Sequence, residues 1–316
     1  MEWKTRITEL FGCKYPILEG AYGGFGGWEF AAACANAGVH GCITASVSRT
    51  PEQLSEDIRS CRKATSGSFG VNLSFGICPR IDEMLEVCIE EGVPVETAIY
   101  KPDSLAPRIK ESGLTWVHKS ARVKDAQHAE ELGADAVIVV GLEGVGFKNP
   151  EQLPTFIAIS WGSRQVEVPF VAAGGIGDAR GLLGALAMGA DGIMMGTAFM
   201  ATKECPTNEQ SKQEMVRSRP DHPMLRYRVL SSTDPKKYAE VLAQRGKLPL
   251  NEWLPLLERA QPKATDYQGM VPEGEPEPSR VGSLAVGALE GVPTVKEFID
   301  GMIAEAEELV KGWGWM

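Results

Sequence analysis

Short apolar runs alternate with amphipathic segments along the first two thirds of the chain. Eight runs have the length of buried strands, at residues 16–19, 41–44, 70–73, 95–97, 115–118, 136–140, 170–173 and 192–195. Apolar residues at helical spacing fill the intervals, near residues 28–37, 51–64, 81–91, 105–112, 121–132, 153–161 and 179–188. Strands that alternate with helices in this way form parallel sheets, and eight such units predict a closed (β/α)₈ TIM barrel.

The pattern changes after Cys205, where the sequence becomes polar and helical. Residues 262–278, PKATDYQGMVPEGEPEP, are rich in proline, glycine and acidic residues, as in a loop or lid. Thr294 is placed to cap a last amphipathic helix that runs from Val295 to about Lys311. We therefore predict a barrel built from residues 1–205 and 280–316, with an inserted helical lid subdomain, 206–279, over its mouth.

Composition and charge exclude several classes of protein. The chain has 316 residues, 43% of them hydrophobic, and a net charge of −10 without a basic stripe, which argues against a nucleic-acid partner. It contains neither a signal-peptide pattern nor an apolar run of about 18 residues, so we expect no membrane span and a cytoplasmic protein. Its seven cysteines form no CxxC pair and no metal-ligand spacing, which indicates reduced thiols and no metal site. We expect a small-molecule substrate, and a homodimer is among the assemblies that the sequence allows.

Two glycine-rich loops follow the last two predicted strands, within VPFVAAGGIGDARGLLGALAMGADGIMMGTAFM. Gly174 and Gly175 precede Asp178, a candidate N-cap, and Gly196 and Thr197 open the next segment. Glycine lets the main chain approach an anion closely, and barrels bind phosphate between the loops after strands seven and eight. The loops therefore predict a phosphate site, although tight turns between strands and helices would also use these glycines.

Other predicted strand ends carry residues that packing alone does not require. Gly20 and Ala21 end the first strand, and Asn72 lies in the third, where its amide could hold a heterocycle or bond the barrel main chain. Lys119 follows the fifth strand, where it could stabilise negative charge on a reduced ring or act as a Schiff-base nucleophile. His118 points to the opposite side of that strand and is read as structural.

These motifs together resemble those of the flavin-dependent nitronate monooxygenase family, which is related to NADH:quinone reductases and enoyl-acyl-carrier-protein reductases. The resemblance covers nearly the whole chain and rests on PILEGAYGG, FGVNLS, VHKS, the segment 168–205 and GSLAVGALEGVPTVKEFI. It implies FMN at the carboxyl end of the barrel. The ring would lie against Gly20 and Ala21, with Asn72 at its pyrimidine edge and Lys119 near N1 and O2. The remaining cofactor contacts would come from Gly144 and, at the phosphate, from Gly174, Gly175, Gly196 and Thr197.

The chain departs from the family pattern after the sixth strand. The family carries a motif like GxEAGGH there, whose histidine is thought to move a proton, whereas this chain reads GLEGVGF with Phe147 at the last position. Phenylalanine transfers no proton, and general-base help is worth about 10² to 10⁴ in rate, so proton abstraction from a neutral nitroalkane is in doubt. An ionised nitronate, or hydride transfer from a nicotinamide, would need no such base. Tyr22, Phe25 and Phe147 would line an apolar substrate pocket over the flavin.

The sequence thus predicts an FMN-dependent oxidoreductase of nitronate monooxygenase type. It would oxidise nitronates with O₂ or pass electrons from NAD(P)H to a small acceptor. A first alternative is an NAD(P)H:quinone or enoyl-thioester reductase. Two alternatives come from other classes: a lyase that uses Lys119 as a Schiff base, and a flavin-binding protein with low turnover.

Overall fold

Eight parallel strands form one sheet in the computed structural model, which describes residues 2–21, 23–98, 102–146, 148–149, 151–230, 240–241, 243–244, 247–249, 252–253, 256 and 276–313. The strands are β1 (Ile17–Glu19), β2 (Gly41–Thr44), β3 (Phe69–Ser74), β4 (Val95–Ala98), β5 (Trp116–Ser120), β6 (Ala136–Val140), β7 (Phe170–Ala173) and β8 (Gly192–Met195). Their order is β1-β8-β7-β6-β5-β4-β3-β2, so each strand neighbours the next in sequence and β8 returns to β1. This arrangement confirms the predicted (β/α)₈ barrel.

The seam between β1 and β2 is closed by the residue that precedes β2. The His40 main-chain N–H donates to the carbonyl of Ile17 at 2.9 Å, and the N–H of Glu19 donates to the carbonyl of His40 at 2.9 Å. The His40 ring is buried, lies 2.7 Å from the Ser68 hydroxyl, and packs on the Phe11 ring at a centroid distance of 4.1 Å. Burial lowers the pKa of His40 to about 3, which makes it a neutral, structural histidine.

Among the described residues, helices pack around the barrel and across its amino end. They are α1 (Arg6–Phe11), α2 (Trp28–Asn36), α3 (Ala45–Ser48), α4 (Pro51–Ala64), α5 (Ile81–Glu91), α6 (Ala106–Ser112), α7 (Val123–Glu131), α8 (Thr155–Gly162), α9 (Ala179–Ala187), α10 (Thr197–Met200), α11 (Glu209–Arg217), α12 (Pro223–Leu230) and α13 (Val295–Lys311), with a 3₁₀ helix at Leu284–Ala288. The helices predicted at 51–64, 81–91 and 295–311 match their observed bounds, whereas α1, α3 and α10 have no counterpart in the predicted set. Among the described helices, none is long and apolar enough to cross a membrane.

Alternate strand residues belong to two separate apolar clusters. Val117, Ile138, Val171 and Met194 form the barrel interior, and the residues between them pack outward against the helices. Ile7 and Phe11 of α1 belong to the interior cluster, so α1 fills the amino end of the barrel. Apolar side chains therefore fill the amino end of the barrel interior, and residues at the carboxyl ends of the strands can line a site.

The carboxyl-terminal part of the chain returns to the barrel through α13. Thr294 caps this helix in a capping box with Glu297, as predicted for its start. The helix packs beside α2 and α9, with Val295, Ile299 and Met302 buried. Of the predicted lid, 206–279, the structure describes α11, α12 and a few further residues, and most of 231–275 lies outside the described residues. The division into barrel and lid stays a prediction.

Candidate active site

A cavity of about 570 Å³ opens at the carboxyl end of the barrel, and residues at the ends of all eight strands line it. Most of the residues singled out in the sequence meet on its wall: Gly20, Ala21, Phe25, Lys119, Gly144, Gly174, Gly175, Gly196 and Thr197. Asn72 is not on this wall, and Tyr22 and Phe147 lie outside the described residues. The barrel thus brings together side chains and loops that are up to 177 positions apart, from Gly20 to Thr197.

The loop after β7 needs glycine for two reasons. Gly174 and Gly175 have φ angles of +102° and +76°, in the left-handed region that favours glycine. A Cβ on Gly174 would also lie 2.9 Å from the carbonyl oxygen of Gly141 and 3.0 Å from the main-chain nitrogen of Gly144. The main chains of the loops after β6 and β7 are therefore in close contact, and both loops line the cavity.

The loop after β8 is joined to a segment from the end of the chain. The Thr197 hydroxyl lies 2.9 Å from that of Ser283 and accepts a hydrogen bond from the Ser283 main-chain N–H, also at 2.9 Å. Arg228 of α12 donates to the carbonyl of Gly282 at 2.8 Å. The cavity is lined by Thr197, Arg228, Gly282 and Ser283. Sequence reasoning missed Arg228 and Ser283, although Ser283 lies in the quoted motif GSLAVGALEG. Together they add a cation and a hydroxyl to the predicted phosphate end.

A buried carboxylate fixes the wall at the end of β1. Glu19 is 1% exposed, and one of its carboxylate oxygens accepts a hydrogen bond from the main-chain N–H of Ala21. Burial raises the pKa of Glu19 to about 7, and main-chain bonds from Ala21 and Cys42 together with the charge of Lys119 oppose that rise. Glu19 holds the Gly20–Ala21 turn in place, a role that no sequence pattern indicated.

Asn72 lies beneath the cavity and is completely buried. Its carbonyl oxygen accepts a 2.7 Å hydrogen bond from the Ser74 hydroxyl, and its amide nitrogen lies 3.5 Å from the main-chain oxygen of Glu96. Ser74, on the same face of β3 and one layer higher, lines the cavity instead. The predicted contact of Asn72 with a flavin stays a prediction, and in this structure the amide bonds the barrel.

Lys119 lies on the cavity wall near two buried carboxylates. Burial lowers the pKa of Lys119, and the charges of Glu96, Cys42 and Glu19 act in the opposite direction. Burial likewise raises the pKa of Glu96 to about 8, against the opposing charge of Lys119. His118, the preceding residue, is buried on the outer face, where its Nδ1 lies 2.8 Å from the Thr97 hydroxyl. The structure thus places Lys119 on the cavity side of β5 and His118 on the opposite side, as predicted.

The loop after β6 carries a second buried lysine. Lys148 donates to the carbonyls of Leu142 and Gly144 at 2.5 and 2.6 Å, is 7% exposed and lines the cavity. Burial lowers its pKa to about 8, while the charge of Glu143 opposes the shift. The Glu143 carboxylate accepts a 2.7 Å hydrogen bond from the main-chain N–H of Thr155 at the start of α8. These hydrogen bonds fix the loop after β6, which contains Gly144, on both sides of that residue.

The residues on the wall fit a flavin nucleotide. The volume of about 570 Å³ lies within the range of roughly 300 to 1,000 Å³ for sites that bind cofactors. One part of the wall offers Lys119 and Ser74 for the polar edge of a ring. Another part offers glycine turns, Thr197 and Arg228 for a phosphate.

A (β/α)₈ barrel with such a cavity, and with glycine turns after β7 and β8, has the architecture of barrel enzymes that bind phosphate-bearing ligands. Within that class, the chain belongs to the nitronate monooxygenase family, whose model matches residues 4–305. The chain is accordingly an enzyme, an oxidoreductase that uses a flavin. This confirms the predicted family and class, and it favours the oxidoreductase hypothesis over the lyase.

Two curated relatives have the same name, (3aS,4S,5R,7aS)-5-hydroxy-7a-methyl-1-oxo-octahydro-1H-indene-4-carboxyl-CoA dehydrogenase. The protein from Rhodococcus jostii is 28% identical, and the match covers 98% of this chain and 98% of the relative. The protein from Mycobacterium tuberculosis is 33% identical over 72% of this chain and 64% of the relative. Among solved structures, FabK from Thermotoga maritima is 28% identical with a TM-score of 0.77, and 99% of each chain is covered.

Proposed function

We propose that the protein is an FMN-dependent oxidoreductase whose substrate is an acyl thioester. The observation that carries this proposal is the likeness, over 98% of both chains, to a relative named as a carboxyl-CoA dehydrogenase. The cofactor would occupy the cavity at the carboxyl end of the barrel. FMN would supply the hydride and electron chemistry when bound.

The cavity wall supports an assignment of the predicted residues to parts of the cofactor. Gly174, Gly175, Gly196 and Thr197 would hold the phosphate, with Arg228 as its cation. Gly20, Ala21 and Gly144 would lie against the rest of the cofactor. Lys119 would face the ring edge, where an ammonium group stabilises negative charge.

The mouth of the cavity suits an acyl thioester in two respects. Ile77 and Val145 are 44% and 39% exposed on the wall, and Phe25 also lines the cavity, so an acyl group would find apolar contacts. Arg122, which also pairs with Asp125 and Glu151, lines the same cavity and would attract the phosphates of a CoA-type carrier. Tyr22 and Phe147 remain predicted members of this substrate pocket.

Flavin analysis and anaerobic reduction test this proposal. The purified protein should be yellow and should release FMN, not FAD, on denaturation. Acyl-CoA thioesters of increasing size should then bleach the flavin, with the corresponding free carboxylic acids as matched controls. If the free acids bleach it as fast as the thioesters do, the substrate proposal is wrong. If only NADH or NADPH bleaches it, a nicotinamide is the electron donor and the thioester is to be tested as acceptor.

Oxidation of an ionised nitronate with O₂ is the second candidate, because the nitronate monooxygenase model matches residues 4–305. Phe147 replaces the family's proton carrier, so propionate nitronate should react and the neutral nitroalkane should not. Stopped-flow mixing of the protein with the nitronate, and separately with the neutral nitroalkane, measures the rate of flavin reduction by each. Equal rates for both would show that Phe147 does not limit the reaction.

A further inference from the structure

Glu96 is a carboxylate inside the barrel that the proposed site does not use. Its side chain is 4% exposed, and its Oε1 has no hydrogen-bond partner among the described residues. A buried carboxylate is costly unless a charge or a proton compensates it. In its buried position in β4, the Glu96 carboxylate therefore needs a compensating charge or proton within the barrel.

The strand register supplies that partner. Ala98 pairs with Lys119 across β4 and β5, and both residues line the cavity. Glu96 lies two residues before Ala98, so strand alternation places its side chain on the same inner face, one layer below the cavity. Glu96 and Lys119 are thus diagonal neighbours on adjacent strands, and their long side chains can meet.

The other ionisable groups near Lys119 lie farther round the barrel. Cys42 is on β2, and Glu19 ends β1, where its register with Met195 puts it on the outer face and its carboxylate bonds the Ala21 N–H. Among the charges that favour the protonated lysine, that of Glu96 is the largest. The register therefore makes Glu96 the carboxylate next to Lys119 on the adjacent strand, and Glu19 is a second buried carboxylate whose charge acts on both groups.

We propose that Glu96 and Lys119 hold one proton between them, and that Glu96 is a positioning residue that sets the charge of Lys119 on the cavity wall. When negative charge develops above Lys119, the proton lies on its amine and Glu96 is a carboxylate. When that charge is gone, the proton can return to the Glu96 carboxyl, and the net charge of the barrel interior is unchanged. The proton sharing stands on the barrel alone, and its consequence for the flavin rests on the proposed function.

Titration of the lysine tests the pair without any cofactor. In protein freed of flavin and labelled with ¹³C at lysine Cε, the Lys119 signal is followed against pH in the wild type and in Glu96→Gln. We expect the pKa of Lys119 to fall by about 1 to 3 units in Glu96→Gln, because an adjacent opposite charge shifts a pKa by that amount. Glu90→Gln, an exposed change on α5, is the matched control and should leave the titration unchanged.

A reciprocal measurement, of the Glu96 carboxyl in a Lys119 variant, tests the same pair. If the two groups share a proton, Lys119→Gln must raise the pKa of Glu96 by the same amount, measured from its ¹³C-labelled carboxyl. This second variant also decides the question should Glu96→Gln fold poorly. An unchanged Lys119 titration in folded Glu96→Gln, or an unchanged Glu96 titration in Lys119→Gln, overturns the proposal.

The flavin gives an independent readout that a merely structural role would not move. Glu96→Gln leaves Lys119 without its proton source, so the midpoint potential of bound flavin at neutral pH should become more negative, while Glu90→Gln keeps the wild-type value. An unchanged potential contradicts the proposed consequence for the cofactor. Protein that binds no flavin in any variant would refute the proposed function, and the lysine titration would still decide the role of Glu96.

Discussion

Replacement of Gly174 by alanine tests whether the β7 loop must approach the β6 loop as closely as it does. The φ angle of Gly174 is +102°, and an added Cβ would lie 2.9 Å from the Gly141 carbonyl oxygen. It would also lie 3.0 Å from the main-chain nitrogens of Gly141 and Gly144. Because these are main-chain atoms, no side-chain rotation can relieve the contact.

The expected loss of stability follows from two costs and one smaller gain. A non-glycine residue in this backbone region costs about 1 to 3 kcal/mol. Overpacking against fixed atoms costs about 1 to 3 kcal/mol more. Alanine returns about 0.4 to 1 kcal/mol through the smaller entropy of the unfolded chain. We therefore expect Gly174→Ala to lower the free energy of unfolding by about 1 to 5.6 kcal/mol and to weaken flavin retention, because the displaced loop lines the cavity.

Denaturant unfolding and flavin content after gel filtration measure both effects. Gly184→Ala is the matched control: it lies in α9 of the same βα unit, and its Cβ would meet nothing within 4 Å. Alanine there should stabilise the helix by about 0.5 to 1 kcal/mol. The reasoning fails if Gly174→Ala unfolds at the wild-type denaturant concentration, or if both variants lose flavin equally.

Three further predictions concern single side chains. Phe147→His introduces a side chain that can carry a proton; if proton abstraction limits the reaction, oxidation of a neutral nitroalkane should rise by about 10² to 10⁴, and an unchanged rate would remove proton abstraction as the limiting step. His40, with a pKa lowered to about 3, stays neutral in the folded chain, whereas in the unfolded chain it is protonated below about pH 6.5. Stability should therefore fall as the pH drops from about 6.5 to 3, by up to about 1.4 kcal/mol per pH unit. His40→Gln should flatten that part of the pH profile. Lys148→Met leaves two main-chain carbonyls without their donor and should cost about 1 to 3 kcal/mol by denaturant unfolding, whereas exposed Lys63→Met should cost little.

Most of the barrel was predictable because parallel strands are buried on both faces and read as short apolar runs. The strands Gly41–Thr44, Ala136–Val140, Phe170–Ala173 and Gly192–Met195 match their predicted bounds. Helix α1 was missed because it has only six residues, too few to show an apolar period, and its buried residues enter the barrel end. Its start is marked by the Thr5–Thr8 capping box, which is a weaker signal than Ser or Thr with Glu or Gln.

The site was predictable where glycine or a strand-end lysine marks it, and less so within the strands. Asn72 and Ser74 point to the same side of β3, so the sequence could not tell which layer meets the cavity. Glu96 sits in VETA, where alternation alone does not distinguish a buried carboxylate from an exposed one. Lys148 lies after β6, outside any strand or helix, and its two carbonyl bonds depend on a fold of the main chain that no local pattern encodes.

The packing of α1 into the amino end of the barrel has a consequence for the order of events in turnover. Because Ile7 and Phe11 fill that end, we expect ligands of the cavity to arrive and depart through the mouth at the carboxyl end of the barrel. An electron donor and an electron acceptor that both need this mouth must take turns there. Steady-state kinetics should then be double-displacement, with parallel lines in double-reciprocal plots and each product inhibiting competitively against the other substrate.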